Sequence, residues 1–247
     1  MKRFAVAAFT VALLLVPATA KDKGKDKAAK AALIVDSGSF GIFVNGQRVA
    51  TEKFQIEQRA GNSFATSELK LAEGGGKPAQ TSEMELTSSG DILHYVWREI
   101  NDNKAQESVE PANEFLVEHI TPNPTAKTED QPFLLPHSTA ILDDYFFSHR
   151  QILAWRYLAS GCVPKNGQVE CNLGKTQYGV LVPRQRLSMM VALEFVGKEK
   201  ISLRGSEREL NRINMNAEGL DWAMWLDDAN RVIRIAVPGE KTEVIRD

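Results

Sequence analysis

From Ala32 to its last residue the chain alternates apolar and polar side chains with a period near two, broken by turn signals. That pattern builds strands and excludes a helical protein. Phe40 to Val44 leads into Asn45-Gly46, a two-residue hairpin signal, and Val49 to Glu57 returns. Gly61-Asn62 turns the chain, Ser63 to Leu71 goes out, and Gly74-Gly75-Gly76 makes a flexible loop. Thr81 to Thr87, Leu93 to Trp97 and Phe115 to Ile120 continue the rhythm. After Gly161 it resumes through Gln177–Val182, Leu187–Val196, Glu199–Arg204, Glu209–Asn216, Leu220–Leu226, Arg231–Val237 and Thr242–Arg246.

Two segments depart from it. Pro122, Pro124, Pro132 and Pro136 exclude regular structure through most of 121–136, which reads as a Pro-rich loop. Ser138 to about Leu158 holds neither Gly nor Pro and has helical spacing. The expectation is a mainly β (α+β) fold: a strongly curved antiparallel sheet, a half-barrel, with one long helix over about 138–158 against its concave face.

Projected at about 100° per residue, Ile141, Leu142, Tyr145, Phe146, Ile152, Leu153 and Tyr157 form one apolar stripe. His149 and Arg156 fall within it, whereas Asp143, Asp144, Ser148, Arg150 and Gln151 fall outside. Packing accounts for the pair if Arg156 lays its stem on the core and His149 bonds a strand carbonyl. The sharper reading is a polar floor in an apolar cavity, suited to an amphiphile with a carboxylate or phosphate head. The candidate ligand-binding set is His149, Arg156, Tyr145, Phe146, Leu153, Trp97, Phe195 and Trp222. Trp222 and Trp225 differ by an odd number, so a regular strand points them to opposite faces and one needs other cover.

The first residues are of another kind. Lys2 and Arg3, the apolar run Phe4–Val16, Pro17 and Ala18-Thr19-Ala20 make a secretory signal peptide over 1–20, cleaved after Ala20. Residues 21–36 read as a flexible basic tether, and 37–247 as a single β-rich domain. Export places the mature chain in the periplasm or outside the cell, with no transmembrane segment. Thirty basic and 32 acidic side chains leave no basic excess for nucleic acid.

An exported chain with two cysteines calls for a disulfide. Taking Asn166-Gly167 as a type I′ turn sets Cys162 opposite Cys171 at a non-hydrogen-bonded position, where side chains approach closely. Such a bond stabilises by roughly 2–3 kcal/mol. Pro164 in the same ribbon is tolerated only at an edge.

His94, His119, His137 and His149 share no ligand spacing, so neither a metal nor another cofactor is indicated. There is no G-x-S-x-G elbow, P-loop or G-x-G-x-x-G, and no catalytic residue is assigned.

Phe43-Val44-Asn45-Gly46-Gln47-Arg48-Val49-Ala50-Thr51-Glu52-Lys53-Phe54 resembles the opening hairpin of uncharacterised exported bacterial proteins with a domain of unknown function. Trp225-Leu226-Asp227, Arg231 through Ile235, Pro238 and Val244-Ile245-Arg246 are similar to their closing strands. The resemblance implies a half-barrel around a helix, similar in shape to periplasmic lipoprotein carriers, and no catalytic residues. Ala50 stands where Gly is common, and the 162–171 hairpin has the look of an insertion.

Three functions follow as expectations. The first is a non-enzymatic periplasmic binding or carrier module for an apolar or amphipathic small molecule. The alternative is a cell-envelope assembly protein docking another envelope protein through its edge hairpin. A hydrolase with a site outside the known motifs is third.

Overall fold

The structure is a computed structural model, and it describes residues 32–72, 79–101, 104–172, 174–217 and 219–247. The segments read from the sequence as signal peptide (1–20), as tether up to residue 31 and as a loop at Gly74–Gly76 lie outside the described residues.

Among the described residues eight strands precede the helical connection: β1 (Leu33–Val44), β2 (Gln47–Arg59), β3 (Asn62–Leu71), β4 (Ala79–Leu86), β5 (Ile92–Ile100), β6 (Gln106–Ala112), β7 (Phe115–Thr121) and β8 (Glu129–Phe133). The two-residue β9 (Ala140–Ile141) and helix α1 (Ser148–Gly161) follow, then a ribbon of β10 (Cys162–Lys165) and β11 (Gln168–Cys171). The chain closes with β12 (Thr176–Val182), β13 (Leu187–Leu203), β14 (Ser206–Ala217), β15 (Leu220–Leu226), β16 (Val232–Val237) and β17 (Thr242–Arg246).

Fifteen strands form one curved, open sheet, in the order β8-β7-β6-β5-β4-β3-β2-β1-β17-β16-β15-β14-β13-β12-β9. Every pairing is antiparallel except the short parallel contact of β9 with β12. The first and last strands meet in the middle, Phe40 opposite Arg246. Each half is a meander running outward from that seam, and α1 packs inside the resulting half-barrel. The predicted architecture is therefore the observed one.

Turn chemistry explains the meanders. Asn45-Gly46 and Asn166-Gly167 both take positive φ at their two central residues, as a type I′ turn requires. The turn read at Gly61-Asn62 instead uses Ala60 and Gly61, one residue earlier. Two boundaries also move. Leu33–Asp36 belong to β1, so the domain starts inside the stretch read as tether. Glu129–Phe133, read as Pro-rich loop, form the edge strand β8; Pro132 is tolerated because one side of that strand has no neighbour.

The helix differs most. It spans Ser148–Gly161 rather than about 138–158. Ahead of it Ala140 and Ile141 pair with Val180 and Leu181, and Tyr145 sits in the left-handed region at φ 63. The start is set from outside the segment: the Glu52 carboxylate of β2 accepts the backbone N–H groups of Phe147 and Ser148. A side chain about a hundred residues away thus does the work of a local N-cap.

One large core lies between sheet and helix, with Phe40, Ile42, Tyr95, Leu116, Phe146, Leu153, Tyr157, Leu193 and Ile213 among its fully covered side chains. A smaller cluster covers the outer face, where Ile201, Leu203 and Leu210 of the long β13–β14 hairpin pack with Ala223, Trp225 and Ile233. The question raised by the two tryptophans is thereby answered. Trp222 faces inward near Phe147, and Trp225 faces outward beneath the hairpin, its indole N–H donating to Glu199 at 2.8 Å.

Candidate functional site: an apolar groove beside a buried polar helix start

The inner face under α1 is built in rows. Register aligns Phe54, Ser67, Ser82, Trp97 and Glu107 across β2–β6 in one row, and Ile56, Ala65, Met84, Tyr95 and Val109 in the next. The first turn of α1 bonds to the serines of the first row, and its later turns stand beside the apolar residues of the second.

At the helix start the buried polar groups hold one another. Glu52 accepts from Ser67 Oγ at 2.8 Å and Ser148 Oγ at 2.6 Å besides the two backbone N–H groups. Burial still raises its pKa to about 7. The His149 Nδ1 accepts the Asp143 N–H at 3.3 Å, which leaves Nε2–H to donate to Ser82 Oγ, also 3.3 Å away. Burial, then the charges of Arg150 and Arg184, hold its pKa well below the usual range, so this imidazole is neutral. The Gln151 amide donates to Asp36 at 2.6 Å while its carbonyl oxygen accepts the Val232 N–H at 2.8 Å. Asp36 also accepts from Arg246 at 2.5 and 3.0 Å.

Arg184, at the 3-10 turn Pro183–Gln185, clasps the two wings of the sheet. Its Nε donates to both oxygens of Asp143 at 2.8 and 2.9 Å and its Nη1 to Gln80 at 2.9 Å, while the guanidinium lies over the Trp97 ring. Asp143 also accepts the Tyr95 hydroxyl. Burial raises the Asp143 pKa against the lowering effect of Arg184.

Two further carboxyls face the same interior with little support. Both oxygens of Glu118, 0% exposed, lack a hydrogen-bond partner, as does Oε2 of Glu107. Burial raises Glu107 to about 7 and Glu118 to about 8, while Arg186 pulls each down.

Toward the other end of the helix the packing opens. A groove of about 480 Å³ lies between Ile152, Leu153, Trp155, Arg156 and Ala159 of α1 and Ile56, Ala65, Met84 and Leu86 of the sheet. Its wall is mostly apolar, and Thr87, Ser88, Ser89 and Gly90 form part of its rim. A second hollow flanks it, lined by Trp155, Leu158, Cys162, Pro164 and Arg231, with Val35, Trp155 and Ala159 common to both. The Trp155 indole, donating to the Asn230 carbonyl at 2.5 Å, is the partition.

Arg156 is at the groove's edge. Its Nη1 donates to the Ser138 carbonyl at 2.8 Å and, more weakly, to that of Gly90 at 3.4 Å; Asp91 lies 3.7 Å from Nη2. Gly90 takes φ 85, and a Cβ there would stand 3.4 Å from the Arg156 stem.

Of the sequence-derived set, the structure brings His149, Leu153 and Arg156 to the groove. The other five are not among its lining residues. Phe146 is fully buried and stacks on His149. Trp97 and Trp222 hold inner-face positions under Arg184 and Arg150. Phe195 donates its N–H to the Tyr157 hydroxyl. Tyr145 corrects the helical projection: it precedes the helix and is 47% exposed. The projection also misplaced Asp143, Ser148, Arg150 and Gln151, all of which are buried.

The residues missed were Glu52, Glu107, Glu118, Arg184 and the rim Thr87–Gly90. A signal for the acids existed. Ala50-Glu52-Phe54-Ile56 and Leu116-Glu118-Ile120 each put a carboxylate on the apolar parity of a strand.

Cys162 and Cys171 stand directly opposite across the ribbon, as the turn analysis requires, and that ribbon is a separate two-stranded sheet. Among the described residues no group of His, Cys, Asp and Glu could hold a metal ion, and no helix is long and apolar enough to cross a membrane. Comparison with family models, curated proteins and solved structures finds no match.

Proposed function

We propose that this protein is an exported, non-enzymatic carrier that holds the apolar chain of an amphipathic molecule in the groove beside α1. The observation that carries the reading is the groove itself. About 480 Å³ of mostly apolar space sits next to a fixed cation, Arg156, and three rim hydroxyls. Volumes of this size suit ligands of drug or single-chain lipid dimensions. The apolar chain lies along Ile56, Ala65, Met84 and Leu153. A carboxylate or phosphate head meets Arg156 and the neighbouring rim, where Ser88 is the donor, since Thr87 and Ser89 bond each other at 2.8 Å and Ser89 donates to Asp91 at 3.0 Å. His149 contributes shape rather than charge, since both ring nitrogens are already engaged.

The same reading takes the chain into the periplasm after cleavage at Ala20, joins Cys162 to Cys171, and makes it a member of the exported half-barrel group its terminal hairpins resemble. Alkylation with and without reductant checks the crosslink: two thiols that react only after reduction are expected.

Titration with dansyl-undecanoic acid tests the groove, with Trp155 as the energy donor. Saturable binding is expected in the native protein and its loss in Ala65→Trp, which fills the groove. Equal binding by that variant, or none by either protein, contradicts the reading.

A further inference from the structure

The groove beside α1 and the hollow next to it are nearly equal in size, about 480 and 500 Å³. Either one falls in the range that a single small ligand fills. Val35, Trp155 and Ala159 line both. Val35 and Ala159 are exposed and form lips at solvent, whereas Trp155 is half-buried, so the wall between the two spaces is its ring. That ring is held at both ends. Its stem leaves α1, and its indole N–H donates to the Asn230 carbonyl at 2.5 Å. Asn230 is itself fixed in the turn between β15 and β16, where its N–H donates to the Asp227 carbonyl at 2.9 Å.

The two spaces offer different chemistry. Arg156 and Ser88 stand at the groove for an anionic head. The cation of the second hollow, Arg231, is already spent: its Nε and Nη2 both donate to Asp227, at 2.9 and 2.7 Å. Leu158, Cys162 and Pro164 make the rest of that hollow largely apolar. It suits an apolar chain without a head of its own. A ligand held by its head at Arg156 reaches it only through the place the indole occupies.

We propose that Trp155 sets the ligand class of the groove: by closing off the second hollow it admits amphiphiles with one apolar chain and rejects those that carry a second chain on the same head. The proposal rests on the carrier reading and names what that carrier excludes.

Displacement of dansyl-undecanoic acid, followed by dansyl emission excited directly, is the test. The competitors are octanoyl lysophosphatidic acid and dioctanoyl phosphatidic acid, which share a head and differ by one chain. The native protein is expected to favour the single-chain competitor. In Trp155→Ala the two-chain competitor gains about tenfold or more relative to the other. Trp155→Leu, which keeps the position apolar, gives the same direction and stands in if the alanine variant does not fold. Ala229 is exposed and lines the second hollow alone, so Trp155→Ala/Ala229→Trp refills that space from its far side and cancels the gain. A general loosening of α1 would not be cancelled in this way. Equal competition by both lipids in the native protein, an unchanged ratio in both single variants, or a gain that survives the refilling overturns the proposal and leaves the carrier reading in place. No binding of the probe by the native protein removes the carrier reading and the proposal with it.

Discussion

Glu52 and Glu118 occupy the same kind of position. Each sits on the inward parity of a strand in the N-terminal meander, each is fully buried, and burial raises the pKa of each. Their surroundings differ. Glu52 takes four hydrogen bonds, two of them from the backbone at the positive end of α1. Glu118 takes none, although it lies on β7, next to the edge strand, where Arg186 is the cation that pulls its pKa down. One buried acid thus organises the fold by starting the helix, and the other is a strain on it that eases when protonated. Burial alone does not say which is which; the donors do.

The contrast is most open to attack at Glu52. Glu52→Ala leaves the Phe147 and Ser148 N–H groups without their acceptor and the Ser67 and Ser148 hydroxyls with only each other, and a loss of about 3 kcal/mol or more is expected in urea unfolding. A loss below about 1 kcal/mol, the range of an ordinary hydrogen bond, removes the claim that Glu52 sets the helix start. Next comes Glu118. Its folded pKa of about 8 lies above the unfolded value, so its stabilising proton is fully held at acid pH. Stability falls as pH rises from the unfolded value through about 8, at up to about 1.4 kcal/mol per pH unit between the two. Glu118→Gln flattens that decline in unfolding curves taken across the range; an unchanged slope contradicts the assignment.

Two smaller effects refine the picture. Ser67→Ala removes one donor from Glu52 and raises its pKa further, at a cost of about 1 kcal/mol in thermal unfolding. Arg186→Gln removes the cation that lowers both Glu107 and Glu118, so their titration, followed by NMR of labelled glutamates, moves upward. At Glu52 that variant produces no movement, because the forces on Glu52 come from burial and its own four donors.

Much of the sheet was legible in the residues because its determinants are local. Asn45-Gly46 and Asn166-Gly167 specify their own turns, and side-chain alternation then specifies the inward face of each strand. The opposition of Cys162 and Cys171 follows by counting from the second turn. The helix boundary was not legible, since residues 138–147 have helical spacing yet are held out of the helix by β12, Arg184 and Glu52. Helical spacing likewise says nothing of Ser148, Arg150 and Gln151 being buried. Their partners Glu52, Asp36 and Val232 come from far along the chain, and Arg150 turns back to the Asp143 carbonyl ahead of the helix. For the site, His149, Leu153 and Arg156 were visible from one helix face. The opposite wall, Ile56, Ala65 and Met84, became a wall only through cross-strand register.

Everything functional depends on the space between those two walls receiving an apolar chain. Solvent extraction and mass spectrometry of protein purified from its native source without detergent measure this directly. An amphiphile with one apolar chain, near one equivalent per protein, is expected in the native form and none in Ala65→Trp. Extracts free of lipid from both proteins, or the same lipid in equal amount from both, would rule the carrier out.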